Sequence, residues 1–412
     1  MTSAFGWLDH SEQQRRRMLE IVDQFRDKGV LDELGFGVIR DAFSDRFFPG
    51  ISTIQTRARY LLFVPWVYRR IEREEVAVAQ IDARARKYQA EIARSLLRGD
   101  ETDLLGVIGG QVGEGLVRLP SDIYWNGLRR YRIWRFSGSV SQYFRTNERT
   151  RQPLWSDDGE LVEQVLVRDW DPGLPPEPPG LFTATSFALS REEAEYLRER
   201  IVAEVAGTML ALCLDADRRL DPIEVPWLHP DLPAFPSRVR SDLDHAHRFA
   251  IVAWGGVLLY NLMLAEAAEQ ALLPIAKGRV EQYRNDLAQY AATVEDQGLL
   301  LRQWKMADFW ETVVGDGHQV RHATRAFVGS LAEWIVDDPR GIADNVDARR
   351  AIRERELMLK GGLAKLTHRK ALEGFGGSAG LYPQTYRWPN VKRIVGDIQR
   401  GLRQRRTETG DA

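Results

Sequence analysis

Cysteine is almost absent: Cys213 is the one thiol in 412 residues. A lone thiol closes no internal disulfide, so a reducing compartment is expected and the fold must rest on packing. Histidine is scarce as well, at 7, which confines imidazole ligands and bases to a few positions. The net charge is only -2, so no global excess of one sign selects a partner. The beginning of the sequence (MTSAFGWLDHSEQQRRR) lacks a basic stretch followed by an apolar core and a small-residue cleavage site. A secretory leader is therefore not expected, and the expected location is cytoplasmic. Long apolar runs are missing too, except at 249–265 (FAIVAWGGVLLYNLMLA), where Asn261 interrupts the run and His245, His247 and Arg248 precede it. That pattern reads as a helix buried in a protein core, with no membrane partner.

What is present is bulk: 44% hydrophobic residues, 28% charged, and 12 Trp, enough to build the cores of two or three domains. The periodicity is mainly helical. Ser11 with Gln14 reads as a capping box before the apolar stripe Met18, Ile21, Val22 and Phe25. Further helices are expected over 33–47, 52–75 (opened by Ser52 with Gln55 and kinked at Pro65), 121–131, and 190–214 behind the capping pair Ser190 and Glu193. Others are expected over 241–271, 279–296, 299–314, 319–336 and 345–360. A last one carries Pro389 in its first turn. Short strands are expected near 161–167 and 182–187, on either side of the proline-rich stretch 171–180 (DPGLPPEPPG), which can continue neither a helix nor a central strand. The expected fold class is therefore mainly α, with an N-terminal helical domain at 1–170, a helical core domain at 171–340 and a basic C-terminal region at 341–412.

The familiar catalytic signatures do not occur. The glycine run 106–115 (GVIGGQVGEG) has no following Lys-Ser or Lys-Thr, so it is a connector rather than a phosphate loop. Cys213 sits among Leu210, Leu212 and Leu214 and reads as a core residue. His318 and His322 are four apart, a spacing that can share a metal on one helix face, but the glutamate of a metalloprotease motif is not between them. Asp242, Asp244, His245 and His247 form a second local group, whose alternate histidines suit a strand or loop. Neither group brings a third ligand by spacing, so no metal and no cofactor are expected.

Charge is distributed unevenly. From 348 to 406 there are fifteen Lys and Arg against four acids, Glu354, Glu356, Glu373 and Asp397. A basic end on an acidic body fits either a polyanion partner or a clamp onto that body. Arginines are also interleaved with aromatics. The stretch 56–73 reads as an amphipathic core helix, aromatics inward and arginines outward. The stretch 124–151 carries Arg129, Arg130, Arg132, Arg135, Arg145, Arg149 and Arg151 against Glu148 alone, and 386–406 carries Arg387, Arg393, Arg400 and Arg403. Guanidinium groups grip phosphates bidentately and aromatic faces stack on bases. Arg129, Arg130, Arg132, Arg135, Arg145, Arg387, Arg393, Arg400 and Arg403 are thus the candidate nucleic-acid contacts.

The segments FGWLDH (5–10), ELGFGVIRDAFSDRFFPG (33–50), STIQTRARYLLFVPWVYRR (52–70) and RLPSDIYWNGLRRY (118–131), with YRWPNV at 386–391, resemble an uncharacterised bacterial family of unknown function. The resemblance spans the chain and supplies no catalytic residue. It implies gene neighbours of the helicase and nuclease kinds in phage-defence regions. The expected function is a non-catalytic, nucleic-acid-associated component of such an assembly, contacting DNA or RNA beside a helicase or nuclease. A protein-interaction subunit anchored by surface tryptophans such as Trp170 and Trp227, or an enzyme with a dispersed metal-dependent site, are the alternatives.

Overall fold

The computed structural model describes residues 32–404, apart from 75, 100, 102, 104–105, 110–117, 139, 141, 146–168 and 217. The Ser11–Gln14 box with its helix, the strand expected over 161–167, and Arg149, Arg151, Arg405 and Arg406 lie outside the described residues. Within them the protein is mainly helical, with no strand. The nearest thing to a strand is one isolated antiparallel bridge between Trp134 and Trp170.

The strand expected over 182–187 is corrected to turns. Side chains satisfy that backbone instead of a neighbouring strand. Arg98 donates to the carbonyls of Phe182 and Thr183, Arg59 donates to that of Ser186, and the Phe187 N–H donates to Glu101. With its polar groups met locally, the segment has no need of a ladder.

The described chain forms two compact units: residues 32–43 with Asp242–Gln384, and Ser44–Ser241 with 385–404. The first unit is built on the long helix Ser237–Gln270, whose apolar stretch is enclosed by the unit, with Leu243, Phe249, Val252, Leu259, Leu262 and Leu264 all fully buried. Asn261 is fully buried as well. Its amide donates to the carbonyls of Val257 and Ala379, and its Oδ1 accepts the Ala379 N–H at 2.7 Å. The polar residue that interrupts the apolar run thus ties down the glycine-rich loop 374–383, and the Tyr283 hydroxyl holds the same loop by donating to the Gly377 carbonyl. Around this helix lie Arg279–Asp296, Gly298–Arg302, Met306–Val314, His322–Asp337 and Val346–Lys360. The single helix expected over 299–314 is interrupted between Arg302 and Met306, where the Trp304 indole turns to donate to His245 Nδ1 at 3.2 Å.

In the second unit the helix Tyr60–Arg73 contacts Ile81–Arg98 and Pro120–Arg130, while Arg191–Glu204 lies along Trp388–Leu402. The last pair is close because Gly401 has no side chain: a Cβ there would stand 2.7 Å from that of Ala194. The Ser190–Glu193 capping box forms as expected, but its helix stops at Glu204, and Thr208 caps a separate helix, Met209–Asp215. The helix expected to open at Ser52 begins only at Tyr60. Gln55 does not cap it; its amide donates to the carbonyls of Gly50 and Ile123. The N–H groups of Thr56 and Arg57 are taken by the Tyr124 hydroxyl at 2.7 and 2.9 Å. Tertiary hydrogen bonds win over the local capping pattern.

Candidate functional site

All nine candidate arginines belong to the second unit, and their surroundings divide them. Arg387 is largely enclosed, pairing with Asp45 at 2.6 Å and donating to the Ile51 carbonyl at 2.7 Å. Arg400, on the Trp388–Leu402 helix, pairs with Asp397. Arg135 pairs with Asp171, which Arg200 also approaches, at 3.7 Å. Arg129 is exposed and donates to the Ser137 carbonyl at 3.4 Å. Arg145 and Arg403 are exposed and engaged elsewhere. Arg130, Arg132 and Arg393 are exposed, and no side-chain partner meets them among the described residues.

The aromatics beside these arginines face inward. Tyr124, Tyr131, Trp134, Tyr143, Tyr386 and Trp388 are buried. Trp134 is packed by the rings of Trp170 at 4.5 Å, Tyr143 at 4.6 Å and Trp125 at 5.0 Å. These faces serve one another and offer no free platform to a base. Trp170, expected as a surface anchor, is corrected to a core residue: it is 5% exposed, and its indole donates to Glu72 at 2.6 Å. Trp227 is half-buried against Tyr386.

The stretch 56–73 departs from aromatics in, arginines out. Arg57 and Arg59 are turned inward with the rings, 9% and 8% exposed. Arg57 forms a two-pronged pair with Asp397, at 2.9 Å through both Nε and Nη2, and its Nη1 reaches Asp103 at 3.1 Å. The same carboxylate accepts the Ala58 N–H at 2.9 Å. Arg59 binds Glu193 at 2.8 Å. Asp397 is the one acid within 386–406, a signal that was open to reading, since a solitary carboxylate buried amid cations must be paired.

A second charged cluster occupies the first unit. Glu33 and Glu356 are both buried. Lys360 pairs with Glu33 and, at 3.3 Å, with Glu356; Lys365 reaches Glu33 at 3.4 Å. Tyr260 donates to Glu356, which also accepts the N–H groups of Lys365 and Leu366 at 2.9 Å. Arg349, on the same helix as Glu356, pairs with Glu266. Much of the basic excess over 348–406 is thus matched by acids inside its own unit. Enclosed and fully partnered, the cluster has the form of a structural network rather than an exposed reactive site.

The histidines do not form the expected arrangements. His318 precedes the helix His322–Asp337, so the pair does not share its face. His245 and His247 are on a helix, not a strand or loop, and two residues apart they point differently. Burial pushes the pKa of both below the usual histidine value. Among the described residues no three His, Cys, Asp or Glu side chains gather as a metal site. Cys213 is buried as expected, and burial pushes its thiol up to about 12, which removes thiolate chemistry.

A site that the sequence reading passed over is a concavity of about 270 Å3 lined by Trp66, Arg69, Arg73, Pro176 and Glu177. Its one sequence signal is the spacing of Arg69 and Arg73, one turn apart on a helix.

A family model described as "Family of unknown function (DUF6361)" matches residues 2–401. No curated protein and no solved structure matches the chain.

Proposed function

We infer that the protein, which belongs to this family of unknown function, is a non-catalytic component that holds nucleic acid by its phosphates. The observation that carries this reading is the partition of the arginines. Arg57, Arg59, Arg387 and Arg400 have acidic partners. Arg130, Arg132 and Arg393 are exposed on the same unit, with no partner among the described residues. Exposed guanidinium groups are free to displace counterions from phosphates, and enclosed aromatic rings cannot stack on bases, so the contact is with the backbone and indifferent to sequence. In a phage-defence-type assembly such a subunit would present DNA or RNA to a helicase or nuclease that does the chemistry. Titrating the purified chain with a fluorescent oligonucleotide at several salt concentrations tests it. Affinity falling along a straight line in log salt is expected; no binding of single-stranded or duplex nucleic acid at low salt removes the reading.

A protein-interaction role has its own observation. Leu357, Met358 and Leu363 are 43%, 56% and 66% exposed close together in the chain of the first unit. A partner that stays bound through nuclease treatment and high salt would support this role over the first.

A further inference from the structure

The arginines on and around the Tyr60–Arg73 helix have acceptors almost without exception. Arg59 binds Glu193, Arg70 and Arg73 share Glu177 at 3.2 and 2.9 Å, and Arg135 and Arg200 share Asp171. Arg69 stands apart. It is half-buried, and no side chain or carbonyl meets it among the described residues. It lines the concavity with Trp66, Arg73, Pro176 and Glu177, one helical turn from Arg73. The wall is firm: Trp66 is 1% exposed, and its indole donates to the Pro175 carbonyl at 2.8 Å. Glu177 does not make the concavity acidic: its single negative charge faces both Arg70 and Arg73, so with Arg69 the balance of the four groups is two positive charges.

We propose that this concavity binds a phosphate monoester, with Arg69 as its principal cation and Arg73 as the second. A dianion with three free oxygens can engage two guanidinium groups spaced by one helical turn, and it brings to them a second negative charge that a carboxylate lacks. The choice of source, the 5′-terminal phosphate of a nucleic-acid strand, rests on the proposed function; the site itself does not. Arg130, Arg132 and Arg393 would then hold internal phosphates, while Arg69 reads the strand end.

The test uses the full chain and two measurements. Inorganic phosphate is titrated by calorimetry into the protein, Arg69→Gln and Arg69→Lys. Binding is expected in the native chain, lost in Arg69→Gln and weakened in Arg69→Lys, which keeps the charge without the fork. A 5′-phosphorylated DNA strand is then compared with the same strand ending in a 5′-hydroxyl. The phosphorylated strand is expected to bind about tenfold tighter, the effect of one charge-assisted contact. Arg69→Gln should erase that preference and leave the 5′-hydroxyl strand unaffected, whereas Arg393→Gln should weaken both strands alike. Phosphate bound through Arg69 with neither strand bound keeps the site, with free phosphate as its ligand, and removes the nucleic-acid reading. Both strands bound equally with no phosphate binding, or a preference that survives in Arg69→Gln, overturns the site.

Discussion

Asn261 shows how one residue reverses its apparent meaning between sequence and structure. In the sequence it breaks an apolar run; in the fold its amide meets both the N–H and the carbonyl of Ala379, all fully enclosed. Replacing it with leucine leaves two buried backbone groups unmet, at about 1–3 kcal/mol each. Asn261→Leu should therefore lower the denaturant midpoint substantially although it makes the helix more apolar. A midpoint equal to that of the native chain would show that the Ala379 backbone finds other partners. Asp397 and Glu356 are of the same kind, acids whose significance is invisible until their buried partners Arg57 and Tyr260 are seen, 340 and 96 residues away. Local patterns report neighbours in the chain, and these partnerships are mostly not local.

Among the elements, the long helix Ser237–Gln270 gives a pH dependence. His245 and His247 are both on it, and burial lowers the pKa of each. A lowered histidine pKa means the unfolded chain binds more protons, so stability is present above the unfolded value of about 6.5 and is lost as pH falls below it. His245 also loses its role as acceptor from Trp304 when its Nδ1 is protonated. The melting temperature should drop between pH 7.5 and 5.5, and by less in His245→Asn; an equal drop in both proteins would place the effect elsewhere. The elements best read from the sequence were those with strong caps and clean periodicity. Asn345 caps Val346–Lys360, and Pro389 enters the first turn of Trp388–Leu402 with Val391, Ile394, Val395 and Ile398 turned inward. Ser52 with Gln55 matched the capping pattern equally well and capped nothing: the Gln55 amide turns to the Gly50 and Ile123 carbonyls, and the next N–H groups, of Thr56 and Arg57, go to the Tyr124 hydroxyl, 68 residues away from Thr56. A capping motif states a preference worth about 1 kcal/mol, and tertiary contacts exceed it.

For the molecule as a whole, the basic excess over 348–406 had two readings, a polyanion contact or an internal clamp. Arg349, Lys360, Lys365, Arg387 and Arg400 serve acids within their own units, so that excess overstates the charge on offer outside. The candidate site was legible as a set of arginines but not as a partition, since sequence gives each arginine the same charge and only the fold says which are spent. Of the nine candidates, Arg130, Arg132 and Arg393 are the ones left to meet phosphates in the proposed function. The most direct test is the salt dependence of nucleic-acid binding by the triple variant Arg130→Gln, Arg132→Gln, Arg393→Gln, beside the native chain and the Arg387→Gln variant. Exposed and without described partners, the three replacements should leave the melting temperature nearly unchanged, weaken duplex binding, and flatten the slope of log affinity against log salt by about 3. Arg387→Gln should instead lower the melting temperature. A triple variant that binds with the native affinity and the native slope would contradict the claim.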